Sequence, residues 1–358
     1  MHHVQMPILR IGDIELSPPI IQGGMGVRVS GANLAAAVAN EGCAGIIACV
    51  GLGDFEGRPR AEALKINSDA VRESIRAARR KSDGVIGVNI MCALANFDLL
   101  VSIAVEEKVD LIIAGAGLPL DLPKLVPNEK IKLVPIVSSA RALKLICRRW
   151  SKKYARWPDA VVVEGTKAGG HLGFSYAEIK DPTTPSLEEI VCDVIKIANA
   201  QEHPFPVIPA GGIFDGADIA RFLKLGASGV QMGTRFVCTD ECDVHENYKQ
   251  AYLNAKKEDL CIIKSPVGLP GRVLRNDFVD AINAGATIPN KCSYRCLKTC
   301  DPKTTPYCIA SVLMKAADGK LNESFAFAGT NAYRCEKIVP VRELIAELAE
   351  GLVQALDR

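Results

Sequence analysis

Eight short apolar runs recur along the chain, and each of them ends in glycine or polar residues. Their nearly continuous valine and isoleucine content is typical of strands that are buried on both faces, as in a parallel sheet covered by helices. We therefore predict eight buried strands, at 19–24, 44–49, 85–91, 109–117, 131–139, 159–165, 205–212 and 228–236.

Stretches with helical periodicity separate these runs, for example "GANLAAAVANEG" and "SLEEIVCDVIKIANAQ". Eight strand–helix units in a row favour a (β/α)8 TIM barrel of the α/β class. An open doubly wound sheet would use fewer strands and would need a point where the strand order reverses. We predict a barrel over 7–275 and a C-terminal helical lid over 276–358. The lid would contain a Cys-rich insertion at 292–308 and return to the barrel at 325–358.

The composition excludes several classes of protein. The chain has 358 residues, of which 48% are hydrophobic and 23% charged, with a net charge of +2 and no basic block. We therefore expect neither nucleic acid nor a membrane surface as a partner. The sequence contains no run of about 18 apolar residues, so we expect no membrane span. The N-terminus lacks the pattern of a signal peptide. The expected localisation is cytoplasmic, where the 13 cysteines would be reduced.

Glycines are concentrated at the ends of the predicted strands, in "QGGMG", "GAG", "EGTKAGG", "AGGI" and "MGT". In a barrel of this class the C-terminal strand ends build the active site. Glycines there allow backbone N–H groups to approach a ligand closely. Each glycine could instead serve only a tight turn, but their recurrence at equivalent positions favours a binding site.

The loops after the seventh and eighth strands predict a phosphate site, because they hold phosphate in many barrels. Gly211, Gly212, Gly233 and Thr234 could offer backbone N–H groups and one hydroxyl. Neither a Walker motif nor a G-x-G-x-x-G after the first strand is present. A phosphorylated substrate, FMN or PLP would fit. PLP is less favoured, because it needs a Schiff-base lysine and the nearby Lys167 lies in a loop.

Several motifs together resemble the nitronate monooxygenase family, formerly 2-nitropropane dioxygenases. These motifs are "PIIQGGMG", "GVNIM", "VVVEGTKAGGHLG", "VIPAGGIFDGADIARFLKLGASGVQMGTRF" and "FAGTNA". The resemblance runs from about residue 7 to 275 and resumes at about 325. The family includes FMN-dependent enoyl-ACP reductases and some NAD(P)H:quinone reductases. The resemblance therefore implies a barrel that holds FMN non-covalently at the C-terminal strand ends and acts on a small molecule.

The same resemblance implies where the cofactor is bound. The first strand end would lie against the flavin ring, an asparagine would bind its pyrimidine side, and the later loops would hold the ribityl chain and phosphate. The residues concerned are Gly23, Gly24, Met25, Asn89, Gly169, Gly170, Gly211, Gly212, Gly233, Thr234, Gly329 and Thr330.

His171 is the candidate catalytic residue, because the histidine of "AGGH" lies on the substrate side of the flavin in the family that the chain resembles. An imidazole suits acid–base chemistry at neutral pH. It would take a proton from a nitroalkane, or orient a nitronate, or polarise a thioester. The alternative is a histidine that only packs within its loop. Glu164 could be a partner that orients His171, or it could simply be a carboxylate at the end of a strand.

A cysteine segment departs from the pattern of the family. Cys292, Cys296, Cys300 and Cys308 are spaced C-x3-C-x3-C-x7-C. In a reducing compartment such a density favours a metal, either a [4Fe–4S] cluster or zinc, over free thiols or disulfides. The segment precedes the "FAGTNA" loop. A cluster there could pass single electrons to FMN, or a metal could tie down the lid.

Two enzymatic functions follow from these patterns. The first is the oxidation of alkyl nitronates by O2 with FMN. The second is the reduction of an enoyl-ACP, an enoyl-CoA or a quinone, with NAD(P)H as co-substrate and an iron–sulfur centre as a candidate electron relay. A non-catalytic redox sensor is a third class, against which the complete set of motifs argues. The amphipathic C-terminal segment fits either packing on the barrel or the contact of a homodimer.

Overall fold

The computed structural model describes residues 5–54, 56–290, 292 and 294–357. A hairpin of β1 (Leu9–Ile11) and β2 (Ile14–Leu16) comes first. Eight parallel strands then close a barrel in the order β10-β11-β3-β4-β5-β6-β7-β8. These strands are β3 (Ile20–Gln22), β4 (Ala44–Ala48), β5 (Ile86–Met91), β6 (Leu111–Gly115), β7 (Lys132–Val137), β8 (Val161–Glu164), β10 (Val207–Ala210) and β11 (Val230–Met232).

The prediction of a (β/α)8 barrel is confirmed, because each predicted apolar run contains one barrel strand. Closure, which the sequence could not show, comes from the pairing of the last strand with the first. In that pairing Val230 lies opposite Ile20, and Met232 lies opposite Gln22.

The apolar residues form two layers that explain the unbroken hydrophobic runs. Alternate strand residues such as Ile21 and Val162 fill the barrel interior, where they join Leu9 and Leu16 of the N-terminal hairpin. Their neighbours along the strands, such as Val163, face the surrounding helices. Since both faces of every strand are buried, alternation of polar and apolar residues is absent from these runs.

The helices surround the barrel and cover its C-terminal face. They are α1 (Ala32–Asn40), α2 (Arg60–Lys81), α3 (Phe97–Glu106), α4 (Leu122–Leu125), α5 (Ala140–Tyr154), α6 (Tyr176–Lys180), α7 (Leu187–Asn199), α8 (Gly216–Lys224), α9 (Thr234–Val237), α10 (Glu246–Leu253), α11 (Asp277–Asn283), α12 (Ile309–Ala317) and α13 (Val341–Leu356). In the part of the chain described here, no helix is both long and apolar enough to cross a bilayer.

Helix α13 brings the chain back to the barrel, where it packs against α8 and α1. The approach to α8 is close, because a Cβ added at Gly216 would lie 2.2 Å from the backbone nitrogen of Leu352. Its apolar face is buried in this contact, including Val341 and Leu348. The apolar face of this amphipathic helix is thus buried against helices of the same chain. The homodimer stays a prediction.

A small sheet and the cysteine segment lie over the C-terminal ends of the barrel strands. The sheet has the order β12-β13-β9, with β9 (Gly170–His171), β12 (Leu260–Lys264) and β13 (Pro270–Leu274). The cysteine segment docks on the loop after β5, where Leu297 pairs with Leu94 and the N–H of Ala95 donates to the carbonyl of Cys296 at 2.8 Å. The excursion between β11 and α13 therefore supplies the roof of the barrel.

Candidate active site

A cavity lies between the C-terminal strand ends and this roof. With one exception, the residues expected at a cofactor or in catalysis border this single cavity. Those that border it are Gly23, Gly24, Met25, Asn89, Gly169, Gly170, His171, Gly211, Gly212, Gly233, Thr234 and Gly329.

Thr330 is the exception, because it stands behind Gly329. Its backbone N–H and its hydroxyl both donate to the carbonyl of Lys167, each at 3.2 Å. The side-chain amide of Asn331 donates to the carbonyl of Gly212 at 2.8 Å. The "FAGTNA" loop is thus tied to the loops after β8 and β10, and Thr330 holds it there rather than facing the cavity.

Two of the glycines are required by close packing in the cavity wall. A Cβ at Gly24 would lie 2.3 Å from the Cβ of Asn89. A Cβ at Gly169 would lie 2.6 Å from the backbone nitrogen of Gly329. At these positions any side chain would push apart segments that have to meet, so the interpretation of the glycines as mere turn residues fails here.

The loop after β10 has a backbone conformation that favours glycine. Gly211 and Gly212 have φ of +100° and +78°, a region that side chains disfavour. The side chain of Lys167 lies against Gly212, where an added Cβ would meet its Cβ and Cδ at 3.0 Å. A lysine therefore stands beside the backbone N–H groups that were predicted to bind phosphate.

His171 lies on β9 and is held by the neighbouring hairpin. It pairs with Gly271 of β13, and its Nε2 is 2.7 Å from the hydroxyl oxygen of Ser265. The edge of the ring meets Phe327, with a distance of 4.9 Å between ring centroids. Burial lowers the pKa of His171 to about 4. The imidazole is therefore neutral at neutral pH and can accept a proton.

Two tyrosines fix the position of Phe327. The hydroxyls of Tyr248 and Tyr252, on one face of α10, both donate to its carbonyl oxygen. Both rings also border the cavity. Phe327 is therefore anchored through its backbone while its ring supports His171.

Arg272 is a buried cation that organises the loop before His171. Its Nη1 donates to the carbonyls of Thr166 and Ala168 at 2.6 and 2.7 Å. Burial lowers the pKa of Arg272 to about 10. Among the described residues no carboxylate forms an ion pair with it. This arginine therefore acts through hydrogen bonds to the loop backbone.

The floor of the cavity carries two polar groups from neighbouring strands. Glu164 lies opposite Ala210, which lies opposite Gln231, so both side chains belong to one layer of the barrel. Burial raises the pKa of Glu164 to about 7. The Oε1 of Gln231 is buried and has no hydrogen-bond partner in the described chain. An unpaired buried acceptor is costly, which indicates that a ligand satisfies it.

The four cysteines of the C-x3-C-x3-C-x7-C segment approach one another at the roof. Burial, together with the nearby Cys308, Cys292 and Cys300, raises the pKa of Cys296 to about 12. Cys296 also borders the cavity. Within the described residues, however, no three His, Cys, Asp or Glu side chains are placed so that they could hold a metal ion. The metal site therefore stays a prediction.

Several residues of the site escaped sequence reasoning. For Tyr248 and Tyr252 the sequence holds only a weak indication, since residues four apart lie on one face of a helix. Ser265, Arg272 and Gln231 carry none, because their roles arise from a hairpin that folds over the barrel and from the register of its strands.

Comparison with known proteins identifies the family of this chain. Residues 9–98 and 93–351 match the family profile described as nitronate monooxygenase. A nitronate monooxygenase of Paraburkholderia phytofirmans is 27% identical over 387 residues, covering 96% of this chain and 94% of the relative. The solved structure of FabK from Thermotoga maritima has a TM-score of 0.74 and 29% identity, covering 97% of this chain and 96% of that one.

Another relative acts on a different substrate. It is the (3aS,4S,5R,7aS)-5-hydroxy-7a-methyl-1-oxo-octahydro-1H-indene-4-carboxyl-CoA dehydrogenase of Mycobacterium tuberculosis, which is 29% identical over 274 residues. The alignment covers 76% of this chain and 67% of the relative. Similar chains thus carry out oxidoreductase chemistry on unlike substrates.

Proposed function

The chain belongs to the nitronate monooxygenase family and is an oxidoreductase, and we propose that it binds FMN in the cavity and oxidises alkyl nitronates with O2. The barrel is shared by proteins with different substrates, so the proposal depends on the residues of the site.

The residues present fit FMN. The unpaired Oε1 of Gln231 offers an acceptor to a polar ring edge. Gly24 and Gly169 leave room where any side chain would clash. The glycine loops at the ends of β10 and β11, with Lys167 beside them, offer N–H groups and a positive charge to a phosphate. When bound, FMN would supply the redox chemistry that the side chains of the chain do not themselves provide.

The chain's own residues would bind the substrate and move its proton. The observation that carries the proposal is the neutral, buried imidazole of His171 at the edge of the cavity. When the neutral nitroalkane is offered in place of the nitronate, the neutral imidazole would accept the proton that the nitroalkane loses. Ser265 and Phe327 would keep the ring in one orientation, and the roof would exclude water from the reacting atoms.

A second candidate function rests on the roof itself. The part of the cavity wall that comes from the roof is apolar, and it includes Val267, Leu297, Ile309, Leu313 and Phe327. Such a wall suits an acyl chain better than a small nitronate anion. It favours the reduction of an enoyl thioester or a quinone with NAD(P)H.

One experiment separates the two functions. Purified protein saturated with FMN is mixed in air with ethyl or propyl nitronate, and oxygen uptake is measured. In parallel it is mixed anaerobically with NADH or NADPH and an enoyl-CoA. Oxygen uptake that depends on nitronate supports the first function. Oxidation of NAD(P)H that depends on the thioester, without nitronate turnover, overturns it in favour of the second. Failure of the apoprotein to bind FMN would contradict both.

A further inference from the structure

The cysteine segment is built into the wall of the proposed cofactor cavity. It is fixed at Cys296 and just after it, because the N–H of Ala95 donates to the carbonyl of Cys296 at 2.8 Å and the N–H of Lys298 donates to the carbonyl of Ala93 at 3.0 Å. Cys296 and Leu297 border the cavity. The four thiols are half-buried and pack against the main hydrophobic core. Since the segment is anchored, its cysteines have a defined place in the fold.

Each of the four thiols lies within electrostatic reach of the other three. Cys292, Cys300 and Cys308 all act on Cys296, while Cys292 and Cys308 act on Cys300, and Cys292 acts on Cys308. All pairs within the set are therefore neighbours. A chance scatter of cysteines along 17 residues would not bring the first and the last together with both of the others.

The described residues do not favour a single metal ion at the four thiols. Zinc holds each thiolate at about 2.3 Å from one point. In the described chain no three of the cysteines converge on a point in that way. In an iron–sulfur cluster each thiolate binds a different iron, so the four sulfurs surround a larger body and stand farther apart. Four neighbouring cysteines supply the ligand set that such a cluster needs.

Backbone donors already face two of the sulfurs. The N–H of Arg295 donates to the Sγ of Cys292 at 3.3 Å. Cys308 precedes the first turn of α12, and the backbone N–H groups of Ala310 and Ser311 face its sulfur. Hydrogen bonds to cysteine sulfur stabilise the negative charge that such clusters carry.

We propose that Cys292, Cys296, Cys300 and Cys308 bind a [4Fe–4S] cluster at the roof of the cavity. The cluster holds the cysteine segment and the start of α12 together, and its Cys296 ligand places it on the wall that the cofactor would face. The inference does not depend on the identity of the substrate.

The test uses the full chain, purified without oxygen or reconstituted with ferrous iron and sulfide. Iron, zinc, acid-labile sulfide and released flavin are measured on one sample, and an electron paramagnetic resonance spectrum is recorded after reduction with dithionite. We expect about four irons and four sulfides per chain. The Cys300→Ala variant should lose most of the iron, whereas the control variant Cys192→Ala, altered on α7 outside the segment, should retain it.

Each outcome decides the proposal. Stoichiometric zinc, or thiols without metal after reconstitution, overturns it. Iron retained in Cys300→Ala as in wild type also overturns it. If Cys300→Ala does not fold, the stoichiometry and the resonance spectrum of the wild-type chain decide alone. Flavin bound in a sample without a cluster refutes this inference and leaves the proposed FMN function standing. A cluster in a sample that binds no flavin supports this inference and contradicts the proposed FMN function.

Discussion

The Nε2 of His171 lies 2.7 Å from the hydroxyl of Ser265, although the two residues are 94 positions apart in the chain. Ser265 follows β12 and is buried, so the hairpin that forms the roof also orients the candidate catalytic base. We propose Ser265 as a positioning residue.

Replacing Ser265 by alanine should lower kcat about fivefold, which corresponds to the loss of one hydrogen bond of about 1 kcal/mol. FMN binding should not change, because Ser265 does not border the cavity. The measurement is kcat against KM, with flavin retention on the same sample. The conservative variant Ser265→Thr should recover part of the loss. If the alanine variant is as active as the unaltered protein, Ser265 does not position His171.

With the neutral nitroalkane as substrate, replacing His171 by alanine should lower kcat by about 10²- to 10⁴-fold, the usual contribution of a general base. In the unaltered protein, burial lowers the pKa of His171 from 6.5 to about 4. Activity that needs the neutral ring should therefore be complete at neutral pH and be lost as the pH falls through about 4. A pH–rate profile measures this. A variant that retains FMN and full activity would show that His171 only packs.

Replacing Gly169 by alanine should weaken FMN binding at least tenfold, because the new Cβ would lie 2.6 Å from the backbone nitrogen of Gly329 and separate the two loops. Fluorescence titration of the apoprotein with FMN measures the dissociation constant. The control is Gly285→Ala, where a Cβ meets nothing within 4 Å although the φ of +96° adds strain. Equal affinity for FMN in both variants would contradict the proposed placement of the cofactor.

Replacing Arg272 by leucine should lower the free energy of unfolding by about 2 kcal/mol or more, because the carbonyls of Thr166 and Ala168 would lose a buried donor. Denaturant unfolding of the apoprotein measures it. The matched control is Arg10→Leu, an exposed arginine paired with the exposed Glu15, for which we expect a change within about 0.5 kcal/mol. Similar values for the two variants would count against a role of Arg272 in holding the loop.

The stability of the apoprotein should depend on the protonation of Glu164. Burial raises the pKa of Glu164 from 4.5 to about 7. Between these values the folded state keeps a proton that the unfolded state has lost, so the free energy of unfolding should fall as the pH rises through this window. The Glu164→Gln variant should lack this part of the pH dependence. Parallel pH profiles for both proteins would mean that Glu164 ionises freely in the fold.

The sequence by itself determined the barrel and most of the cavity. Runs such as 160–163 are apolar throughout because both faces of a barrel strand are buried, so eight of them predict the architecture. Glycines at the strand ends predict where a ligand would approach the backbone, and Gly211 and Gly212 have the positive φ that favours glycine. Gly329 lies in the segment between β11 and α13, and only the family resemblance predicted it at the cofactor.

The tertiary structure alone decided which groups act on His171. Ser265, Phe327 and Arg272 lie in a segment that leaves the barrel after β11, and no local pattern shows where such an excursion folds back. Likewise, the spacing of the cysteines could not tell that Cys296 borders the cavity. Periodicity records whether a residue is buried, whereas contacts between distant segments depend on packing that only the folded chain establishes.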